Sequence, residues 1–146
     1  MTGMKRLIGL PVILDGRQIG AVQRGVLCED GRSLRGLVVR EGLRSSRFLP
    51  AEDIGMLGRL AVICRARPQR MPRSAAYRLF RVTDTDGGRI GVVTDVLLDE
   101  ATLRVTALEI SAGPLDDLID GRWYATAFDV KAVGATGHVT IPCRQS

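Results

Sequence analysis

Apolar residues along the chain come in short runs separated by Gly, Asp and Pro. The runs alternate too often to be helices and are too short for them. "RQIGAVQRGVL" (17–27) places Ile19, Ala21 and the partly alternating residues to Leu27 on one face, the two-residue period of a half-buried strand. "LRGLVVRE" (34–41) is the next strand and "LAVIC" (60–64) the last of its group. An apolar run from Leu7 to Leu14 opens the chain. Asp15-Gly16 behind it is a hairpin signal, because glycine takes the positive φ that a tight turn needs. Further along, "RIGVVTDVLL" (89–98), "LRVTALEIS" (103–111) and "TGHVT" (136–140) read the same way, with turns at "GRSL" (31–34) and "DEATLR" (99–104).

The second group of strands repeats the first. "DGRQIGAVQRGVLCE" and "DGGRIGVVTDVLLDE" align so that Asp15, Gly16, Ile19, Gly20, Val22, Leu27 and Glu29 recur as Asp86, Gly87, Ile90, Gly91, Val93, Leu98 and Glu100. Leu37 falls on Leu108. After a short insertion, "FLPAEDI" (48–54) falls on "YATAFDV" (124–130) and Gly58 on Gly134. An internal repeat outranks any local reading. "PAEDI" and "TAFDV" each fit a single helical or 3₁₀ turn, with Asp53 and Asp129 satisfying nearby backbone donors. Two units are expected, residues 4–64 and 77–143. Between them "RARPQRMPRSAA" (65–76) carries two prolines and four arginines, the composition of a linker. Five or six short strands in each unit suggest a small barrel, which closes its own edges. The fold class is all-β: two small barrels from an internal duplication. Each is small enough to be marginal alone, so the two are expected to pack together or to self-associate.

These features in this order resemble the PRC-barrel family. The shared pattern is an apolar opening strand, "DGxxIG", a long strand ending in acids, a second hairpin, an aromatic-x-Pro/Thr-x-x-Asp-Ile/Val turn, a Gly and a final strand. The resemblance covers most of the chain, twice, with Thr126 standing where the first copy has Pro50. Family members include the cytoplasmic domain of photosynthetic reaction-centre H subunits, the C-terminal domain of ribosome-maturation factors and small stand-alone sporulation proteins. The resemblance implies a binding or assembly domain without chemistry of its own. Neither the membrane helix of the first group nor the RNA-processing domain of the second accompanies it in this sequence.

Composition narrows the partners only a little. Of the 146 residues, 45% are hydrophobic and 25% charged, ordinary for a folded globular chain, while aromatics at 4% leave the core to Val, Ile and Leu. The net charge of +5 admits nucleic acid or an acidic protein surface. The arginines Arg65, Arg67, Arg70 and Arg73 are the best anion contacts, spaced to follow phosphates, although no aromatic residue interleaves to stack bases. Trp123 and Tyr124 serve either as packing or as an exposed protein anchor. The acidic "DDLID" (116–120) reads as a solvated loop opposite the basic loop "LRSSR" (43–47) of the first unit. Through these loops the two units could attract one another.

Catalytic and ligand chemistry find little support. "GGRIG" leads into a strand and lacks the Lys-Ser/Thr of a nucleotide loop. "DTDGG" from Asp84 puts Arg89 where a calcium loop needs glycine. Cys28, Cys64 and Cys143 are odd in number and unclustered, so buried thiols in a reducing cytosol are expected rather than zinc or disulfides. His138, the one histidine, has no nucleophile motif around it and is expected at an edge or rim. The run Leu7–Leu14 is broken by Gly9 and Pro11 and too short to span a bilayer. The expectation is a cytoplasmic, non-enzymatic adaptor without metal, cofactor or membrane insertion. It binds a protein, with a sporulation role on family resemblance alone. The second reading is an RNA- or ribosome-associated factor using the Arg-rich linker.

Overall fold

The computed structural model describes residues 1–43, 45–73, 78–133 and 136–142. Arg44, residues 74–77, Gly134 and Cys143, which figure in the expectations above, lie outside the described residues. The elements of the first half are β1 (Thr2–Gly3), α1 (Met4–Leu7), β2 (Pro11–Leu14), β3 (Arg17–Leu27), β4 (Leu34–Glu41), β5 (Ser45–Pro50), a 3₁₀ turn (Ala51–Asp53), β6 (Ile54–Leu57) and β7 (Val62–Cys64). The second half holds β8 (Arg78–Asp84), β9 (Arg89–Leu98), β10 (Val105–Ser111), α2 (Pro114–Asp120), β11 (Trp123–Ala125), β12 (Asp129–Val133) and β13 (Thr136–Ile141). The chain is mostly strand, as the hydrophobic pattern requires.

The strands form two mixed sheets with the same order, β5-β4-β3-β2-β7-β6 and β11-β10-β9-β8-β13-β12. In each, the first strand lies parallel to the last, β2 with β7 and β8 with β13, and the other neighbours are antiparallel. The recurrent glycines have two separate reasons. Gly16 and Gly87 take φ of +78° and +83° in the β2–β3 and β8–β9 turns. In the first turn Asp15 also has positive φ, at +51°, between the paired Leu14 and Arg17, which is the two-residue loop whose twist suits a hairpin. Gly20 and Gly91 are close approaches. A methyl on Gly20 would stand 2.5 Å from the Arg40 carbonyl oxygen, and one on Gly91 would collide with that of Ser111.

One apolar cluster takes side chains from both sheets: Val12, Leu37, Leu49 and Val62 from the first, Val82, Leu98, Leu108 and Val139 from the second, all fully buried. The expected packing of two small units is therefore met by a shared core. The seam is stitched at the turns. Leu34 N–H donates to Leu103 O and Val105 N–H to Arg32 O. The Arg32 guanidinium lies over the Phe128 ring, donates to the Phe128 carbonyl and pairs with Asp129 at 3.1 Å. β1 pairs with β9 in the second sheet, and α1 packs on both β3 and β9. Among the described residues the ion pair joining a loop of each unit is Arg32–Asp129, not one between "LRSSR" and "DDLID".

Several local expectations are corrected. The opening run is not one strand: Met4–Leu7 is a helical turn, Gly9 reverses the chain at φ +88°, and β2 begins only at Pro11. "PAEDI" forms the 3₁₀ turn. "TAFDV", without the proline, bends and enters β12 directly, and Asp129 holds Arg32 instead of backbone donors. "DDLID" is the body of α2, not a loop, with Pro114 in its first turn and Gly121 at φ +72° ending it, the asymmetry of proline and glycine that helix ends favour. His138 is not at an edge: β13 lies between β8 and β12, and the half-buried imidazole hydrogen-bonds the Thr83 hydroxyl at 3.0 Å.

The linker's described part is fastened down. Phe48 and Gln69 exchange backbone hydrogen bonds of 2.7 and 2.8 Å. Pro68 is buried, and Met71 packs on the outer cluster of Val26, Val38 and Phe48.

Replacing Gly91 by Ala is expected to lower stability by about 1–3 kcal/mol through overpacking, because the new methyl meets backbone that cannot swing aside. Urea unfolding of Gly91→Ala against wild type measures this, and an unchanged midpoint would contradict the close approach.

Candidate functional site

The sequence singled out six residues, and the structure separates them onto two sheet edges. Arg65, Arg67, Arg70 and Arg73 are all exposed and follow the segment pinned to β5. The Arg65 side chain donates to the Glu52 carbonyl at 3.3 Å. Trp123 and Tyr124 lie on β11, at the end of the other sheet. Adjacent strand residues face opposite ways. Trp123 is accordingly half-buried against the shared core, and Tyr124 is 54% exposed.

Around Tyr124 the structure assembles groups that the sequence reading did not single out. α2 exposes Leu115, Leu118 and Ile119 by 76%, 83% and 80%. Their spacing, one residue followed by others three and four later, puts them on one helix face. The brackets Gly113-Pro114 and Gly121 together with that spacing were the signal available for a helix. The acidic content drew the segment toward a loop reading.

A polar network holds α2 against the sheet. Ser111 Oγ donates to Asp117 Oδ2 at 2.6 Å, and Arg122 reaches the same carboxylate oxygen at 3.6 Å. Arg122 also donates to Glu109 Oε1 at 3.0 Å. Glu109 accepts further hydrogen bonds from the Thr94 hydroxyl at 2.7 Å and the Tyr124 phenol at 3.2 Å. These donors, Thr94 first, hold the Glu109 carboxyl below its ordinary range, whereas the Glu109 charge raises the Tyr124 phenol above its own. A surface recess of about 430 Å³ lies beside the start of α2, with Arg81 and Arg89 at its walls.

The other motifs have structural occupations. In "DTDGG" the Asp84 carboxylate accepts the amides of Asp86 and Gly88 at 2.9 and 2.7 Å, and Asp84 N–H bonds Gly88 O. Those turn amides are directed at a carboxylate of the chain itself. Cys64 is buried, with its thiol on the Ile13 carbonyl, and burial raises its pKa. Cys28 is half-buried and accepts from the Ser33 hydroxyl. Among the described residues no group of three or more His, Cys, Asp or Glu side chains is placed to hold a metal ion. No helix among them is long and apolar enough to cross a membrane.

Residues 78–142 match the family model of the PRC-barrel domain. The match runs from the start of β8 to just beyond β13, so a PRC-barrel domain forms the second sheet together with α2. No curated protein matches the chain.

In Glu109→Gln the Tyr124 phenol is expected to titrate nearer the ordinary value of about 10, because the charge that raises it is gone. Phenolate absorbance in a Tyr77→Phe background reads this directly. The lowered Glu109 pKa also stabilises the fold above the ordinary carboxylate range, and that contribution is lost as pH falls through the folded value. The Gln variant should lack this acid-dependent loss.

Proposed function

We propose that this chain is a non-catalytic cytoplasmic adaptor whose two units are both PRC-like, related by internal duplication, and whose partner is a protein. Residues 4–64 are the first unit and 77–143 the second. The shared strand order supports the duplication, as does the matching placement of Gly16 with Gly87 and Gly20 with Gly91. The single observation that carries the binding reading is the exposed apolar face of α2. Leu118 and Ile119 are more than three-quarters exposed on a helix held by charged hydrogen bonds. A contiguous apolar surface on an ordered element is the mark of a protein contact. The non-catalytic reading rests on the use of the reactive side chains: Glu109 is engaged by Thr94, Arg122 and Tyr124, and His138 by Thr83.

The second reading, an RNA- or ribosome-associated factor, draws on the Arg65–Arg73 row, whose four guanidinium groups are exposed on a segment fixed by the Phe48–Gln69 pairing. Affinity through such a row falls steeply with salt.

Pull-down from native lysate separates the two, run at low and high salt and with nuclease. The adaptor reading expects a discrete protein retained under all conditions and lost with Leu118→Asp/Ile119→Asp, whose unfolding midpoint is checked in parallel. Capture abolished by nuclease, or by Arg65, Arg67, Arg70 and Arg73 to Ala, would sink it. For RNA binding, the fourfold Arg variant should flatten the log–log salt slope by about 3.

A further inference from the structure

In the first sheet the outer edge of β5 is filled by the chain itself. Gln69 pairs with Phe48 through both backbone hydrogen bonds, and Met71 covers the Val38 and Phe48 side chains. The second sheet repeats the register of that corner. The pairs Leu37–Leu49, Val38–Phe48 and Val39–Arg47 correspond to Leu108–Ala125, Glu109–Tyr124 and Ile110–Trp123. Tyr124 therefore stands where Phe48 stands. A residue of an antiparallel strand turns its N–H and C=O to the same side, so Tyr124 offers its main chain outward as Phe48 does. Among the described residues nothing pairs with Tyr124 on that side.

We propose that this edge takes an extended, basic segment of a partner protein as an added strand, an inference that rests on the protein-binding reading above. The chemistry of the occupant follows from what has changed between the two corners. Val38 and Phe48, which receive Met71, are replaced by Glu109 and Tyr124. A carboxylate beside an exposed phenol ring suits an Arg or Lys, its stem along the ring and its head near the acid. Asp116 adds an exposed carboxylate on α2 that forms no ion pair. The helix runs into β11 through Gly121 and Arg122 alone. Leu118 and Ile119 thus flank the same edge, and an apolar side chain of the added strand packs there. Main-chain pairing supplies affinity and the side-chain positions supply selection, as in other strand additions. The chain's own segment at β5 shows that a basic sequence, Arg67–Arg73, is compatible with this kind of docking.

The probe is a labelled peptide of sequence RARPQRMPR, matching residues 65–73, followed by fluorescence anisotropy against the full chain. Two altered forms accompany it, one N-methylated at the Gln amide and one with every Arg replaced by Glu. Binding of the parent peptide is expected, weakened about ten-fold or more by either alteration and by Glu109→Gln or Leu118→Asp in the protein. N-methylation leaves the protein untouched, so it decides the matter even if a variant folds poorly.

Strand addition is overturned if the parent peptide does not bind or if the N-methylated form binds equally well. It is also overturned if sedimentation shows that a second copy covers the face, as a dimer lost in Leu118→Asp. A failed peptide alongside a lysate partner captured through Leu118 overturns strand addition and leaves the protein-binding reading standing. A failed peptide with no such partner ends both.

Discussion

Leu37 and Leu108 occupy matching places in the two sheets, both wholly buried, and both belong to the one apolar cluster that spans the molecule. That shared core is the constraint on which the rest depends. Units of this size bury too little surface to stand comfortably alone, and aromatic side chains are too few to fill two separate interiors. Joining the inner faces solves the problem for both. The seam then needs only a few polar contacts, and Arg32 supplies most of them. Its guanidinium meets a ring, a carbonyl and a carboxylate of the other unit at once, a use of geometry that lysine could not match.

Once the inner faces are committed to each other, the outer faces are what remains to differ. On the first sheet the outer corner is apolar and the chain covers it with Met71. On the second, the same corner carries Glu109, and the residues around it form a hydrogen-bonded network instead of a dry cluster. A buried carboxylate would be costly there. Three donors and an exposed setting make it tolerable. The two units thus share a frame and differ in the chemistry they present.

Much of the frame was legible in the sequence. Period-two alternation placed the long strands, and the repeated glycines marked turns and close approaches that the backbone angles and contacts bear out. Leu37 and Leu108 follow from the alignment alone. The misses share a cause. α1, α2 and the bend after β11 are set by proline and glycine position over a few residues, where composition gave a competing signal. Asp116, Asp117 and Asp120 suggested solvent, although Pro114 and Gly121 frame a helix. At the candidate site Tyr124 was singled out in advance but Glu109 and Arg122 were not. Their meeting depends on the pairing of β10 with β11, which no local pattern encodes. The linker was read as free because its composition suits a coil. The Phe48–Gln69 pairing is a long-range bond that composition cannot show.

The path of the chain at its first strand has a further meaning. β1 belongs to the second sheet, and β2 to the first. The polypeptide therefore enters one unit, crosses to build the other, and returns. The boundary drawn along the sequence at residue 78 is not the boundary in space, because Thr2 and Gly3 complete the edge of β9 at Leu98 and Leu97. The second unit is discontinuous in the chain, and the two halves are interleaved rather than strung in series.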